Sequence, residues 1–182
     1  MKCSLCNKEK SLIKKSHIIP DFFYRNSNLY NSNHTINAFT INTKLKNIKK
    51  SRPIPTGVYQ SNILCRKCDN EQIGQYESYL KSIFFGGPTA KDEIPVFKNL
   101  INKKSEEFTE CTNLSYLKFK LGLLSILWRS AIAKRDFFDE IVLSESDLES
   151  IRTMLNSNDP GEIGKYPVVI FTLSMILSFP RI

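Results

Sequence analysis

The chain has 182 residues, 41% of them hydrophobic and 24% charged, a globular composition that excludes a disordered chain. That length accommodates one domain, or a small domain with an extension. With 26 Lys and Arg against 18 Asp and Glu the net charge is +8, which suits nucleic acid or an anionic membrane surface, or serves only as a lysine-rich solubilising surface.

The opening MKCSLCNKEKSLIKK carries Cys3 and Cys6 as a CxxC pair and lacks the apolar core of a signal peptide. SLIKKSHII then predicts a short strand running into His17, one of two histidines in the chain. Pro20 stands at a first helical position, with Phe22, Phe23 and Tyr24 behind it. Residues 26–36, rich in Asn and Ser, predict a loop with His34 exposed to solvent. INAFTINTK alternates as a strand does. The basic stretch that follows carries Lys44, Lys46, Lys49, Lys50 and Arg52 with no acid among them. GVYQSNILC is the next strand and delivers a second CxxC pair, Cys65 and Cys68.

After Cys68 the period becomes helical, with Ile73, Tyr76, Leu80 and Ile83 or Phe84 on one face. Asp69, Asn70 and Glu71 suit that helix's N-terminus, where free backbone N–H groups favour caps and acids. GGPTAKDEIP ends the helix and marks a boundary at residues 86–94, dividing the chain into 1–86 and 87–182. Beyond it, an apolar helix runs from Tyr116 to about Lys134, closing on basic residues, with Trp128 in the core. SESDLESIRTMLNSNDPGE holds another helix, capped by Ser144 or Ser146, before the turn NDPGE. The C-terminal run YPVVIFTLSMILSF falls short of the roughly 20 apolar residues of a membrane helix. It reads as buried core or as a surface for a partner, including a second copy of the chain. The expectation is a soluble, cytoplasmic protein with no membrane partner.

Four of the five cysteines fall into the two CxxC pairs, and Cys111 stands alone as a small buried hydrophobe. In a reducing cytosol, paired CxxC knuckles present four thiolates to one tetrahedral zinc. A thioredoxin-like redox pair would instead open a helix after a strand, whereas the first pair here starts almost at Met1. A knuckle, a β-hairpin and a second knuckle opening a helix form the treble-clef layout, in which zinc staples a core too small to hold itself. The predicted fold class is therefore α+β: an N-terminal zinc-bound treble-clef hairpin plus helix, then a mainly helical C-terminal region.

In this order, CSLC, KSHIIP and NILCRKCDNE resemble the HNH, or ββα-metal, endonuclease superfamily in its zinc-stapled form, over residues 1 to about 85. The resemblance implies a metal-dependent endonuclease acting on DNA. It makes His17 the general base, Asn62 the central asparagine, and Asp69 a ligand of a catalytic Mg²⁺ or Mn²⁺ distinct from the structural zinc. An imidazole suits the base because its ordinary pKa of about 6.5 lets it take a proton near neutrality. Four positions depart from the family pattern. Ser16 stands where an acid commonly precedes the histidine, Gln60 where the asparagine usually falls, and Asp69 and Asn70 where the last ligand is often histidine. A carboxylate serves a hard ion equally well, so Asp69 suits the role, with Asp21 and Glu77 as further carboxylates. The basic segment Lys44–Arg52 would position the duplex through its phosphates.

Plainer readings stand beside these. His17 could be a buried structural polar residue or a zinc ligand, the latter disfavoured because four thiolates already complete the tetrahedron. Asp69 could cap the helix, Asn62 a turn, Glu77 a solvated helix face, and the basic segment a solvated loop. The alternative function is a catalytically inactive module of the same type that binds nucleic acid or a protein.

Overall fold

The computed structural model describes residues 1–27, 29–33, 35–37, 40–42, 47–49, 53–54, 57–88 and 94–170. The chain begins by folding back on itself. A bridge between Lys2 and Glu9 closes the first knuckle, and Asn7 takes a positive φ of 58° at its turn, a conformation asparagine tolerates better than most residues. The knuckle then docks on the second one through Ser4 N–H to Ile63 O at 2.9 Å and a bridge between Leu12 and Cys65.

Strand β1 (Ser16–His17) pairs antiparallel with β6 (Tyr59–Gln60), Ser16 opposite Gln60 and His17 opposite Tyr59. The connector between them carries α1 (Asp21–Asn26) and an antiparallel arm. In that arm β2 (Ile36–Asn37) pairs with β5 (Pro53–Ile54), and β3 (Thr40–Asn42) with β4 (Asn47–Lys49). The arm returns through Gly57, whose φ is +63° and where an added Cβ would lie 2.5 Å from the Tyr24 ring. Both the backbone conformation and the close approach demand glycine there.

The second knuckle opens a helix, as the sequence predicts. Its first stretch, Lys67–Ile73, is π-wound, and α2 (Gly74–Phe85) continues it until Gly86. The expected face is buried at Ile73, Tyr76 and Leu80, joined by Tyr79. Phe84 and Phe85 are exposed at the end of the helix. Next comes an element absent from the sequence reading: an antiparallel hairpin of β7 (Val96–Ile101) and β8 (Glu107–Thr112). Its turn is organised by Asn102, whose Oδ1 accepts from the N–H groups of Lys104 and Glu106. Cys111 is only half-buried in β8, opposite Phe97, because the hairpin is exposed along most of its length.

Helix α3 (Tyr116–Ile132) ends two residues before Lys134, where Ala133 turns extended. Helix α4 (Glu145–Ser157) is capped by Ser144 rather than Ser146: the Ser144 hydroxyl accepts from the Asp147 N–H at 3.1 Å. Asn158 closes it in the left-handed conformation. The whole is an α+β arrangement of helices and small antiparallel sheets. Its hydrophobic core is continuous across residues 86–94: Leu5, Ile18, Leu64, Ile73 and Tyr76 pack in one cluster with Leu121, Leu124, Trp128, Ile151 and Leu155. α2 and α3 approach so closely that a Cβ on Gly122 would stand 2.7 Å from Leu80 Cδ1.

Among the described residues no helix is long and apolar enough to cross a membrane. Val168, Val169 and Ile170 are exposed. The rest of the apolar run, residues 171–179, lies outside the described residues, as do His34, Lys44, Lys46, Lys50 and Arg52. Of the basic segment, Lys49 is placed by its backbone alone, opposite Thr40 in the arm.

Candidate metal centre

The two knuckles bring Cys3, Cys6, Cys65 and Cys68 together, their sulfurs all within 4.8 Å of one another. A tetrahedral zinc with Zn–S bonds of about 2.3 Å spaces its four sulfurs about 3.8 Å apart, so the cluster could hold a metal ion such as zinc. Cys3, Cys65 and Cys68 are buried and Cys6 is half-buried, and all four are free thiols. The Cys65 backbone N–H points at the Cys3 sulfur at 3.3 Å, as a donor does when it steadies a thiolate.

The electrostatics divide the four. Burial pushes the Cys3 and Cys68 thiols up. At Cys6 burial also pushes upward, but the Lys8 backbone N–H and the thiols of Cys3, Cys68 and Cys65 outweigh it. Cys6 is lowered to about 7. Four clustered thiols cannot all ionise in a buried site without a cation, because each thiolate repels the next. A divalent ion would supply that compensation, and this donor set is the one soft and borderline metals prefer. Arg152 of α4 braces the first knuckle from outside, with Nη1 donating to the Leu5 carbonyl at 2.7 Å.

Beside this cluster lies a surface cleft of about 340 Å³, lined by Phe22, Asp69, Asn70, Gly74, Glu77, Ser78 and Lys81. Asp69 and Glu77 both face it from the helix that the second knuckle opens. Ser16, fully buried in β1, donates its hydroxyl to Asp69 Oδ1 at 2.5 Å. Glu77 Oε1 accepts from Arg129 Nη2 at 2.6 Å.

His17 lies within electrostatic range of Asp21. Burial pushes the Asp21 carboxyl up, but hydrogen bonds from Tyr30 and Arg25, then the charges of Arg25 and His17, hold it below the usual carboxylate range. His17 is half-buried and is not among the residues lining the cleft. Asn62 is exposed in a left-handed turn, φ 60°, where its backbone N–H donates to the Ile13 carbonyl at 3.0 Å. The structure thus unites the four cysteines, pairs Ser16 with Asp69, and sets Asp69 and Glu77 in one cleft. His17 lies within electrostatic range of Asp21, and Asn62 stands in the turn before the second knuckle.

Sequence reading assigned no role to Arg129 beyond a basic helix end. It is 1% exposed, buried between α3 and the site elements. The available signal was a cation inside the apolar run LGLLSILWRSAI, since a charge at a core position is retained only with partners.

Comparison with protein-family models, with curated proteins and with solved structures finds no match. The chain is accordingly classed by its own residues: an α+β protein whose N-terminal cysteines form a cluster that could hold zinc.

Proposed function

We propose that the chain is a zinc-stapled, treble-clef endonuclease of the HNH type that hydrolyses DNA phosphodiester bonds. The observation that carries this reading is an ordered arrangement. A histidine-bearing strand runs from one cysteine knuckle and pairs antiparallel with the strand entering the second, which opens a helix. The four sulfurs meet within 4.8 Å, where a bound zinc would pin these pieces together. A positive charge of +8 favours a polyanionic substrate.

In this reading His17 is the general base. Its ring takes a proton from water as the water oxygen bonds to phosphorus and the P–O bond to the leaving oxygen breaks. Asp21, beside it, stays ionised and stabilises the imidazolium that results. Asp69 and Glu77 on the helix would hold a divalent ion through hard oxygen donors. Each has committed one oxygen, to Ser16 and Arg129 respectively. Bound Mg²⁺ or Mn²⁺ would contribute charge neutralisation at the scissile phosphate.

A second reading has its own observation. Ser16, standing where the family commonly has an acid, occupies one oxygen of Asp69, and His17 is not among the residues that line the Asp69–Glu77 cleft. That arrangement favours an inactive module that binds nucleic acid or a protein. Incubating supercoiled plasmid with the zinc-loaded protein across a series of divalent ions separates the two. Metal-dependent nicking supports the nuclease; salt-sensitive DNA binding without nicking under any ion supports the binding module.

A further inference from the structure

We propose that Arg129 is the positioning residue of this site, supplied by a helix beyond the stretch that carries the nuclease resemblance; the inference rests on the nuclease reading above. The guanidinium is anchored on its own helix, with Nε donating to the Ser125 carbonyl at 3.1 Å. That leaves its fork directed at two other elements. Nη1 donates to the His17 carbonyl and Nη2 to Glu77 Oε1, each at 2.6 Å.

One planar group therefore fixes β1 at the candidate base and α2 at the cleft wall. β1 needs such a hold. It is two residues long, and its pairing with β6 consists of Ser16 opposite Gln60 and His17 opposite Tyr59, less than an isolated hairpin requires to be stable. The Glu77 side chain is 24% exposed while that of Arg129 is 2% exposed, so the arginine stands behind the carboxylate and the cleft in front. A buried guanidinium is costly to desolvate and persists only where its hydrogen bonds are met. Here they are met by the two elements that carry the site. Arg129 touches neither substrate nor ion; it acts through the placement of His17 and Glu77. A lysine is a point charge on a flexible stem and cannot hold both partners in one plane.

The test uses the full-length zinc-loaded protein, comparing wild type, Arg129→Lys and Arg129→Gln in divalent-ion-dependent cleavage of a DNA duplex. Zinc per chain and melting temperature are measured for each, and rates are taken well below the lowest melting temperature. Misplacement of a reacting group by about 1 Å costs on the order of 100-fold in rate. Arg129→Lys is thus expected to lower kcat by about tenfold or more, with KM for DNA changed less than about twofold. A residue that only holds the fold together lowers the melting temperature and leaves kcat alone. Should the lysine variant lose its zinc, Arg129→Gln, which buries no charge, decides by the same criterion. A folded variant with wild-type kcat overturns the positioning role while leaving the nuclease reading intact. A wild type that cleaves under no divalent ion overturns both.

Discussion

Chelating a zinc held by the four cysteines should unfold the chain, because its core is one cluster. The four sulfurs sit within 4.8 Å, and Cys3, Cys65 and Cys68 are at most 3% exposed. They belong to the same hydrophobic cluster as Leu5, Ile18 and Leu64, so the ligands and the core there stand or fall together. Structural zinc in small peptides contributes roughly 10–16 kcal/mol at neutral pH. The net stability of an ordinary domain is about 5–15 kcal/mol. The first figure matches or exceeds the second, so the chelated protein should lose its cooperative transition rather than shift it by a few degrees. The assay is thermal unfolding by circular dichroism before and after a strong zinc chelator, with released zinc titrated colorimetrically. The expected result is one zinc per chain and no cooperative melt without it. Cys68→Ser should reproduce the chelated state. A protein purified without metal, melting identically with and without chelator, would refute the staple.

Two further outcomes follow from packing and charge. Gly122→Ala should destabilise: the new Cβ meets Leu80 side-chain carbons at 2.7 and 2.8 Å, and the fully buried Leu80 must shift against the core to make room. Overpacking costs roughly 1–3 kcal/mol, which exceeds the gain of about 1 kcal/mol in helix propensity, so urea unfolding should show a net loss with zinc content unchanged. Asp21→Asn tests the charge beside His17. The Asp21 carboxyl is held below its ordinary value, so its stabilising contribution is present above the unfolded pKa and lost as pH falls through the folded one. Wild type should therefore exceed the variant in stability near neutral pH, the gap closing in strong acid; a gap that persists there would count against the assignment.

The cysteine spacing made the four-cysteine cluster legible because CxxC turns are local and few geometries bring two such pairs together. The helix after Cys68 was legible for a similar reason: Ile73, Tyr76 and Leu80 recur at the helical period and all three are buried. The hairpin at 96–112 was not. Nearly all its residues are exposed, so neither strand shows the apolar alternation that burial of one face imposes. Ser16 and Asp69 meet across 53 residues of sequence, and Arg129 meets His17 across 112. Such pairs depend on register and helix docking, which no local pattern encodes.

The most direct test of the nuclease reading is the rate of plasmid nicking by wild type beside His17→Ala, at matched zinc content, in Mg²⁺ and in Mn²⁺. General-base catalysis contributes about 10²- to 10⁴-fold. The account predicts metal-dependent nicking by wild type and a loss of that size in the variant, with its zinc retained. Equal nicking by the two proteins would contradict it.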